Sequence, residues 1–233
     1  MIKLLKHLFF VRTCLGCGTA IPDAEDDTVF CPGCFRKYMN LRSEICLRCG
    51  KRVDACKCLP ESLRYKVVWS GHLFFYHVKL SERIVYTMKM KNYKPLQRFL
   101  ANELANLIFD ASGGDLSGYA VAFAPRKPGS VCTYGFDHAK VLAELTASKL
   151  GLPVEKLFRH ARFSKVQKEL NSKERQYNAR ISYSLNDYVC RKTDRLIIID
   201  DIMTTGSTFS ALVSLAEALG YREIAIISVA KAG

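Results

Sequence analysis

Residues 196–208 read LIIIDDIMTTGST, and this stretch decides the fold. Its first four residues are an unbroken apolar run, which is typical of a parallel strand that is covered on both faces. Two adjacent carboxylates follow, then a loop of hydroxyl side chains with one glycine, and then the amphipathic segment 209–219. This order predicts an α/β fold in which a buried strand of a parallel sheet delivers a ligand site to its carboxyl edge.

The two carboxylates and the loop have the chemistry of a ribose-phosphate site. Asp200 and Asp201 can accept hydrogen bonds from two adjacent ribose hydroxyls. The loop supplies hydroxyl donors and backbone amides in front of a predicted helix N-terminus, where phosphate is favoured. Its residues are Thr204, Thr205, Gly206, Ser207 and Thr208. A strand-to-helix turn with an ordinary Ser/Thr N-cap is the alternative. Neither the P-loop pattern nor the dinucleotide-binding glycine pattern is present.

The motif resembles the phosphoribosyl pyrophosphate (PRPP) motif of type I phosphoribosyltransferases. The resemblance implies the Rossmann-like parallel-sheet fold of that family, PRPP bound with Mg²⁺, and Asp200 and Asp201 as catalytic acids that hold the ribose hydroxyls. It also implies that the loop holds the 5′-phosphate. Members that salvage 6-oxopurines carry an aspartate base at the position of Thr204, and threonine is not a base near neutral pH. Hypoxanthine and guanine are therefore disfavoured as acceptors.

A second dense feature lies near the beginning of the sequence, where eight of the ten cysteines precede residue 59. They form three Cys-x-x-Cys pairs and one Cys-x-Cys pair, a spacing that suits tetrahedral Zn²⁺. The simplest assignment gives two zinc ions with four ligands each, and a cross-braced pairing is the alternative. The two predicted sets are Cys14, Cys17, Cys31 and Cys34, and Cys46, Cys49, Cys56 and Cys58.

Disulfides would suit the same cysteines in a secreted chain. Segment 1–12, however, is interrupted by Lys3, Lys6 and His7, and no signal cleavage site follows it. We therefore expect a cytoplasmic protein with reduced thiols. No apolar run approaches the length of about eighteen residues that a membrane span requires. The 233 residues suit two modules. They are predicted to be a small double zinc-ribbon module at 1–62 and a phosphoribosyltransferase-like domain at 63–233.

The formal net charge of +13 indicates a partner that carries phosphates, either a polyphosphorylated small molecule or nucleic acid, and solubility alone is the alternative explanation. A first basic cluster spans 79–98 and contains a predicted helix at about 81–90. A second basic cluster spans 156–180 and includes Lys168, which the transferase hypothesis assigns to pyrophosphate. This second cluster fits either a mobile loop that closes over phosphates or a solvated helix. The residues predicted to face inward from the helix at 81–90 are Ile84, Val85 and Met88.

Between these clusters, 119–124 is a second predicted buried strand, and two cations follow it. In type I phosphoribosyltransferases the corresponding loop contacts pyrophosphate, so the resemblance assigns Arg126 and Lys127 to that group. A helix is predicted at 138–150, with Asp137 as its N-cap. The residues predicted to form the inward face of that helix are Val141, Leu142, Leu145 and Leu150.

Cysteine pairs joined to a carboxy-terminal PRPP motif resemble the ComF-type late-competence family along nearly the whole sequence. Segments 88–93 and 134–150 resemble further elements of that family. The pattern departs from the family at Tyr134, Asp137 and His138, where Arg, Asn and Gln are usual, and a lone histidine is more often structural than catalytic. The residues that match the next element of the family are Gln167, Leu170, Arg175 and Asn178.

The ComF resemblance implies a cytoplasmic protein of natural transformation that binds PRPP and acts with the DNA-uptake machinery on incoming single-stranded DNA. One alternative is a metabolic phosphoribosyltransferase that transfers phosphoribose from PRPP to an unidentified nitrogen acceptor. Another is a catalytically silent module that senses PRPP or a nucleotide. The sequence leaves open whether the protein is an enzyme, which acceptor it would use, and its oligomeric state.

Overall fold

The computed structural model describes residues 12–22, 27–160, 182–187, 189 and 193–232. Within these ranges, the strands are β1 (Arg12–Thr13), β2 (Ala20–Ile21), β3 (Trp69–Tyr76), β4 (Tyr119–Phe123), β5 (Phe158–His160), β6 (Tyr183–Leu185), β7 (Arg195–Met203) and β8 (Glu223–Ala232). The α-helices are α1 (Pro32–Arg42), α2 (Lys79–Met90), α3 (Lys94–Ala111), α4 (Pro128–Tyr134), α5 (His138–Leu150) and α6 (Ser207–Ala218).

A four-stranded parallel sheet forms the centre of the molecule, in the order β3-β8-β7-β4. β7 lies inside this sheet, and its residues 196–199 are fully buried, as the apolar run predicts. The predicted α/β class with a parallel sheet is confirmed. One boundary differs from the prediction, because β7 does not end before the two acids. It continues through them to Met203, since the long strand β8 pairs with it that far.

Helices cover both faces of this sheet. One face packs against α2, α3 and α5 in a core that includes Ile197 and Ile199. The other face packs against α6 and segment 59–63 in a core that includes Leu196 and Ile198. Because successive strand residues alternate between faces, a strand covered on both sides must be apolar at every position. The buried side chains of α2 include Ile84, Val85 and Met88, as predicted.

Helix α5 has the predicted bounds, and the prediction of its inward face is right in part. Leu142 is buried and the partly buried Leu150 packs against the core, whereas Val141 and Leu145 are only partly buried. α5 packs against α3, and small side chains on the contact face let two helices approach closely. Those small residues, which carry little hydrophobic signal, therefore form most of the buried face. Its members are His138, Ala139, Leu142, Ala143, Thr146 and Ala147.

The cysteine-rich segment packs directly on the α/β domain. Tyr38 of α1 is fully buried, and its hydroxyl donates to Oε2 of Glu103 in α3 at 2.7 Å. Arg42 pairs with the same carboxylate at 3.2 Å and donates to the backbone carbonyl of Leu73 in β3 at 2.9 Å. These bonds join the two parts of the chain across buried surface. The division into 1–62 and 63–233 stays a prediction.

β5 and β6 form a separate antiparallel hairpin, with Phe158 paired to Leu185. The second basic cluster at 156–180 falls mostly between these strands, and its residues from 161 onward lie outside the described part of the chain. The same is true of Lys168 and of Cys190. Among the described residues, no helix has both the length and the apolar character needed to cross a bilayer.

Candidate functional site

The sheet opens at the carboxyl end of β7. On one side, pairing with β4 stops at Ile199, whose carbonyl accepts the last hydrogen bond from Ala124 N at 3.0 Å. On the other side, pairing with β8 continues to Met203. Asp200 and Asp201 therefore lie where β7 has lost one neighbour and kept the other. Such an opening at the carboxyl edge is the usual ligand position in open α/β sheets.

Asp200 lies on the face of the sheet that carries α6 and the β5–β6 hairpin. It is 8% exposed, and its Oδ1 accepts a hydrogen bond from the backbone N–H of Asp201 at 2.8 Å. Burial and the negative charge of Asp201 raise the pKa of Asp200 well above the ordinary value for a carboxyl. Burial also raises the pKa of Tyr183 in the hairpin, and the charge of Asp200 adds to that effect.

Asp201 lies on the opposite face, toward α2 and α5. Its Oδ2 is 3.0 Å from Nζ of Lys89 and 2.5 Å from Nε2 of His138. Burial raises the pKa of Asp201, but the hydrogen bond from His138 and the charge of Lys89 outweigh burial and lower it below the ordinary value. Asp201 is therefore an anion held by two donors.

Lys89 and His138 are members of this site that the sequence pattern does not single out. Lys89 is predicted there only as part of a surface cluster, and His138 is predicted to be structural. The order of the strands in the sheet could have indicated that His138 lies at the site. Because β4 neighbours β7, the connection after β4 reaches the same edge of the sheet as the acids. The first residue of the helix that follows, His138, therefore lies at the site.

Asp137, which immediately precedes His138, caps helix α5 as predicted. Its Oδ1 accepts hydrogen bonds from the backbone N–H groups of Ala139 at 3.1 Å and Lys140 at 3.2 Å. Its Oδ2 accepts a further bond from the backbone N–H of Arg126 at 2.8 Å. One carboxylate thus fixes both the start of α5 and the loop after β4, and it holds His138 in place against Asp201.

The two cations assigned to pyrophosphate differ in their surroundings. The Arg126 guanidinium donates to the backbone carbonyl of Lys89 at 2.7 Å and lies 4.2 Å from the centre of the Tyr134 ring. It therefore ties the loop after β4 to the end of α2. Lys127 is exposed at the start of α4. Pyrophosphate binding by either residue stays a prediction.

The predicted phosphate loop connects β7 to α6. Gly206 precedes the helix with a φ of 73°, a conformation that favours glycine. The hydroxyls of Thr205 and Ser207 are 2.6 Å apart, and the side chain of Thr208 is hydrogen-bonded to the β5–β6 hairpin. Thr204 is exposed. The hydroxyl loop, the N-terminus of α6 and both acids therefore lie along one edge of the sheet.

The β5–β6 hairpin forms a wall on the Asp200 side of this edge. The rings of His160 and Tyr183 are 4.5 Å apart. Burial lowers the pKa of His160, and the charge of Lys127 acts in the same direction. Tyr183, on which the charge of Asp200 acts, therefore lies near that buried carboxyl, and His160 packs against its ring.

The eight cysteines near the beginning of the chain are grouped in the sequential sets, and the cross-braced pairing is not found. Within each set, the four sulfurs lie within 4.8 Å of one another. The sulfurs of Cys17 and Cys31 are 3.8 Å apart. A tetrahedral ion with Zn–S bonds of about 2.3 Å separates its sulfurs by about 3.8 Å. The first cluster is Cys14, Cys17, Cys31 and Cys34, and the second cluster is Cys46, Cys49, Cys56 and Cys58.

The two clusters begin with the same local structure. Gly18 N donates to Cys14 O at 2.8 Å in the first cluster, and Gly50 N donates to Cys46 O at 2.8 Å in the second. Both glycines have a positive φ, of 78° and 66°. Four converging thiols behind such a turn are the donor set that a tetrahedral metal ion requires. Each cluster can therefore hold one ion.

The chain matches a curated protein along nearly its whole length. No protein-family model matches. The chain is 24% identical over 237 residues to competence protein F of Haemophilus influenzae, which covers 96% of this chain and 99% of that protein. The chain is ComF-like along nearly its whole length. This finding supports the ComF-type resemblance predicted from the motifs.

Solved structures also align with this ComF-like chain. Orotate phosphoribosyltransferase from Aeropyrum pernix aligns with a TM-score of 0.35 and 13% identity, over 85% of this chain and 92% of that one. Glutamine PRPP amidotransferase from B. subtilis, complexed with ADP and GMP, aligns with a TM-score of 0.37 and 18% identity, over 56% of this chain. The chain spans 25% of the length of that amidotransferase. The parallel-sheet class itself rests on the strand order described above.

Proposed function

We propose that this ComF-like protein binds PRPP, together with Mg²⁺, at the carboxyl edge of β7. One observation carries the proposal: two carboxylates, Asp200 and Asp201, share an edge of the sheet with a hydroxyl loop that opens α6. A ribose diol needs hydrogen-bond acceptors, and a 5′-phosphate needs hydroxyl and amide donors. Segment 200–208 supplies the acceptors for the diol at its beginning and the donors for the 5′-phosphate at its end.

Each part of the edge has a role in this proposal. Asp200 and Asp201 orient the ribose, and loop 204–208 anchors the 5′-phosphate. The acids are also hard oxygen ligands of the kind that Mg²⁺ prefers, and the ion would neutralise pyrophosphate. Lys127, exposed beside the edge, is the side chain we assign to the pyrophosphate of PRPP. The described residues therefore position and neutralise a phosphorylated sugar, which is the main task in reactions of PRPP.

We further propose that the protein acts in the cytoplasm during natural transformation, with single-stranded DNA as a partner. The full-length similarity to competence protein F supports this proposal. Exposed cations near the first cysteine cluster also support this proposal, because Lys37, Lys79 and Arg83 line one groove between α1 and α2. Such a groove suits a phosphate backbone. The transferase and sensor alternatives use the same PRPP site.

We also propose that both cysteine clusters hold Zn²⁺. Thiolates are soft ligands, and four of them close a structural zinc site. We expect about two zinc ions per chain from the four-ligand rule, measured by elemental analysis of protein purified without added metal. Removal of the metal with a chelator should unfold the cysteine-rich segment, because its short strands and turns have little core of their own. Protein that is folded and contains no zinc would contradict the assignment.

The test of PRPP binding is calorimetric titration of the zinc-loaded protein with PRPP and Mg²⁺. The matched variant is the double substitution Asp200→Asn with Asp201→Asn, which keeps the shape of both side chains. We expect saturable binding by the wild type and a loss of at least about tenfold in affinity in the variant, with the fold retained. Equal affinity in the two proteins would refute the site.

The same double variant tests whether PRPP binding is required for natural transformation. In a deletion strain, we expect wild-type protein to restore transformation and the double variant to fail. Pyrophosphate release that depends on an added nitrogen acceptor would favour the metabolic transferase. PRPP binding without turnover, combined with normal transformation in the deletion strain, would favour the sensor.

A further inference from the structure

The segment that leaves the second cluster is packed against the predicted phosphate loop. Gly206 of that loop faces Pro60 and Leu63 so closely that a Cβ at position 206 would lie 2.7 Å from Pro60 Cγ and 3.1 Å from Leu63 Cδ1. Pro60 lies two positions after Cys58, the last cysteine of the second cluster. The back of the loop is therefore formed by the chain that emerges from this cluster.

Apolar packing joins the same segment to both ends of the loop. Leu63 is fully buried, and Leu59 is nearly so. Both belong to one core cluster with Met203, which precedes the loop, and with Phe209, which follows it. Displacement of the segment would uncover these side chains at once. The position of the loop and the position of the segment are thus energetically linked.

A polar contact forms a second link between the second cluster and β7. The Lys231 ammonium, near the end of β8, donates to the backbone carbonyl of Cys58 at 2.5 Å and lies 3.8 Å from Sγ of Cys56. Lys231 is also the register partner of Met203, the last residue of β7. The second cluster is therefore held directly beside the start of the phosphate loop.

The first cluster has the same knuckle and different neighbours. Arg83 of α2 donates to its backbone carbonyls at Leu15 and Gly16, and Cys14 and Cys34 belong to the core on the α2 face of the sheet. Among the described residues, these contacts join the first cluster to α1 and α2, and none of them involves segment 204–208.

We propose that the second cluster positions the phosphate loop through segment 58–63, so that its metal occupancy, and not that of the first cluster, sets the affinity for a ribose 5-phosphate. This inference rests on the proposed function of loop 204–208. Pro60 and Leu63 are positioning residues, because they touch the loop and not the ligand. Loss of the second metal would loosen the back of the loop without altering the acids or the hydroxyls.

The test compares two matched variants, Cys49→Ser and Cys17→Ser. Each removes the exposed second cysteine of an equivalent knuckle. Ribose 5-phosphate is titrated into each protein, and amide hydrogen exchange is measured in peptides covering 203–209. For Cys49→Ser we expect affinity to fall about tenfold or more and the loop amides to exchange faster. For Cys17→Ser we expect affinity within about twofold of wild type and unchanged loop exchange.

A second pair of variants leaves every cysteine in place. Leu63→Ala shortens the side chain behind Gly206, and Leu104→Ala is its control, since Leu104 is equally buried in the core on the other face. We expect only Leu63→Ala to weaken ribose 5-phosphate binding and to speed exchange in 203–209. Equal effects within either pair would overturn the proposal, because both losses would then act through general stability.

The exchange measurement separates this proposal from the proposed function. Suppose that the wild type binds no ribose 5-phosphate but the loop amides exchange faster in Cys49→Ser than in the wild type. This result would support the mechanical link and refute the phosphate assignment. Ribose 5-phosphate binding that is indifferent to Cys49→Ser would support the phosphate site and refute the link.

Discussion

At the end of β7, the two faces of the sheet shift the pKa values of two identical side chains in opposite directions. On the α6 face, Asp200 is buried beside a hairpin, and its pKa is raised. On the α2 and α5 face, Asp201 meets Lys89 and His138, and its pKa is lowered. The residues are adjacent and chemically the same. Strand alternation, which sends neighbours to opposite faces, accounts for the difference.

The site therefore has two halves, a poised half around Asp200 and a neutralised half around Asp201. Asp201 is an ionised acceptor with its charge already balanced by a lysine. Asp200 is buried, and the charge of Lys89 does not outweigh that burial and the charge of Asp201, so its pKa stays raised. Under the proposed function, this carboxyl is the group that hydroxyls or Mg²⁺ of the ligand would meet on that face. A residue's role in the site is therefore set by the elements that cover it.

The largest expected effect is on the neutralised half. Asp201→Ala leaves the Lys89 ammonium and His138 Nε2 without their shared acceptor, and we expect the free energy of unfolding to fall by about 2–3 kcal/mol, below the range for fully buried pairs. The value is reduced because the Lys89 side chain is 30% exposed. Urea unfolding at neutral pH measures it. An unchanged or increased free energy of unfolding would show that Lys89 and His138 do not stabilise the protein through Asp201.

On the poised half, we expect substitution of Asp200 by asparagine to raise the free energy of unfolding. The pKa of Asp200 is higher in the folded than in the unfolded chain, so the stability that its protonation confers is full below a pH of about 4 and is lost as pH rises through the folded pKa. Asparagine cannot ionise, and its carbonyl oxygen can still accept from the backbone N–H of residue 201. Asp200→Asn should therefore be more stable than wild type above that pKa.

Unfolding of Asp200→Asn and wild type at several pH values tests this statement, because the cysteine clusters and the other titrating groups are common to both proteins. The stability difference should grow with pH. A difference that is constant, or that favours wild type at alkaline pH, would mean that Asp200 is not poised. The opposing signs at positions 200 and 201 are also why we expect the double Asn variant used for titration to remain folded.

The smallest effect concerns His138, where the ComF-type family usually has glutamine. His138→Gln can still donate a hydrogen bond to Asp201, and we expect a loss of less than about 1 kcal/mol. His138→Ala removes the donor and should cost about 1–2 kcal/mol, as expected for a bond to a charged group. Thermal unfolding of the two variants, measured side by side, distinguishes them. Equal losses would show that His138 acts only by packing.

Much of this fold was predictable from local pattern. The apolar run of β7, the strand at 119–124 and the helices α2 and α5 follow from periodicity, and the Asp137 cap follows from residue type. The grouping of the cysteines agrees with their spacing. The buried face of α5 was predicted only in part, because its alanines and threonine give no apolar period. The end of β7 was misplaced, because the length of a strand depends on its partner.

The candidate site was predictable in part. A contiguous motif placed two acids and five loop residues at one edge, and parallel-strand geometry requires that outcome. Lys89 and His138 come from two helices that are distant in sequence, so no local pattern could assign them to Asp201. The support of Gly206 by Pro60 and Leu63 belongs to the same class of contact.

The sequence by itself determined the chemistry that is available: a strand covered on both faces, paired acids, a hydroxyl loop and two sets of four thiols. These features depend on neighbours along the chain. The tertiary structure alone decided that the pKa of Asp201 is lowered and that of Asp200 is raised, and that the chain leaving the second cluster packs behind loop 204–208. The physical reason is that burial and charge at a site are summed over all elements packed around it, and most of those elements are far away in sequence.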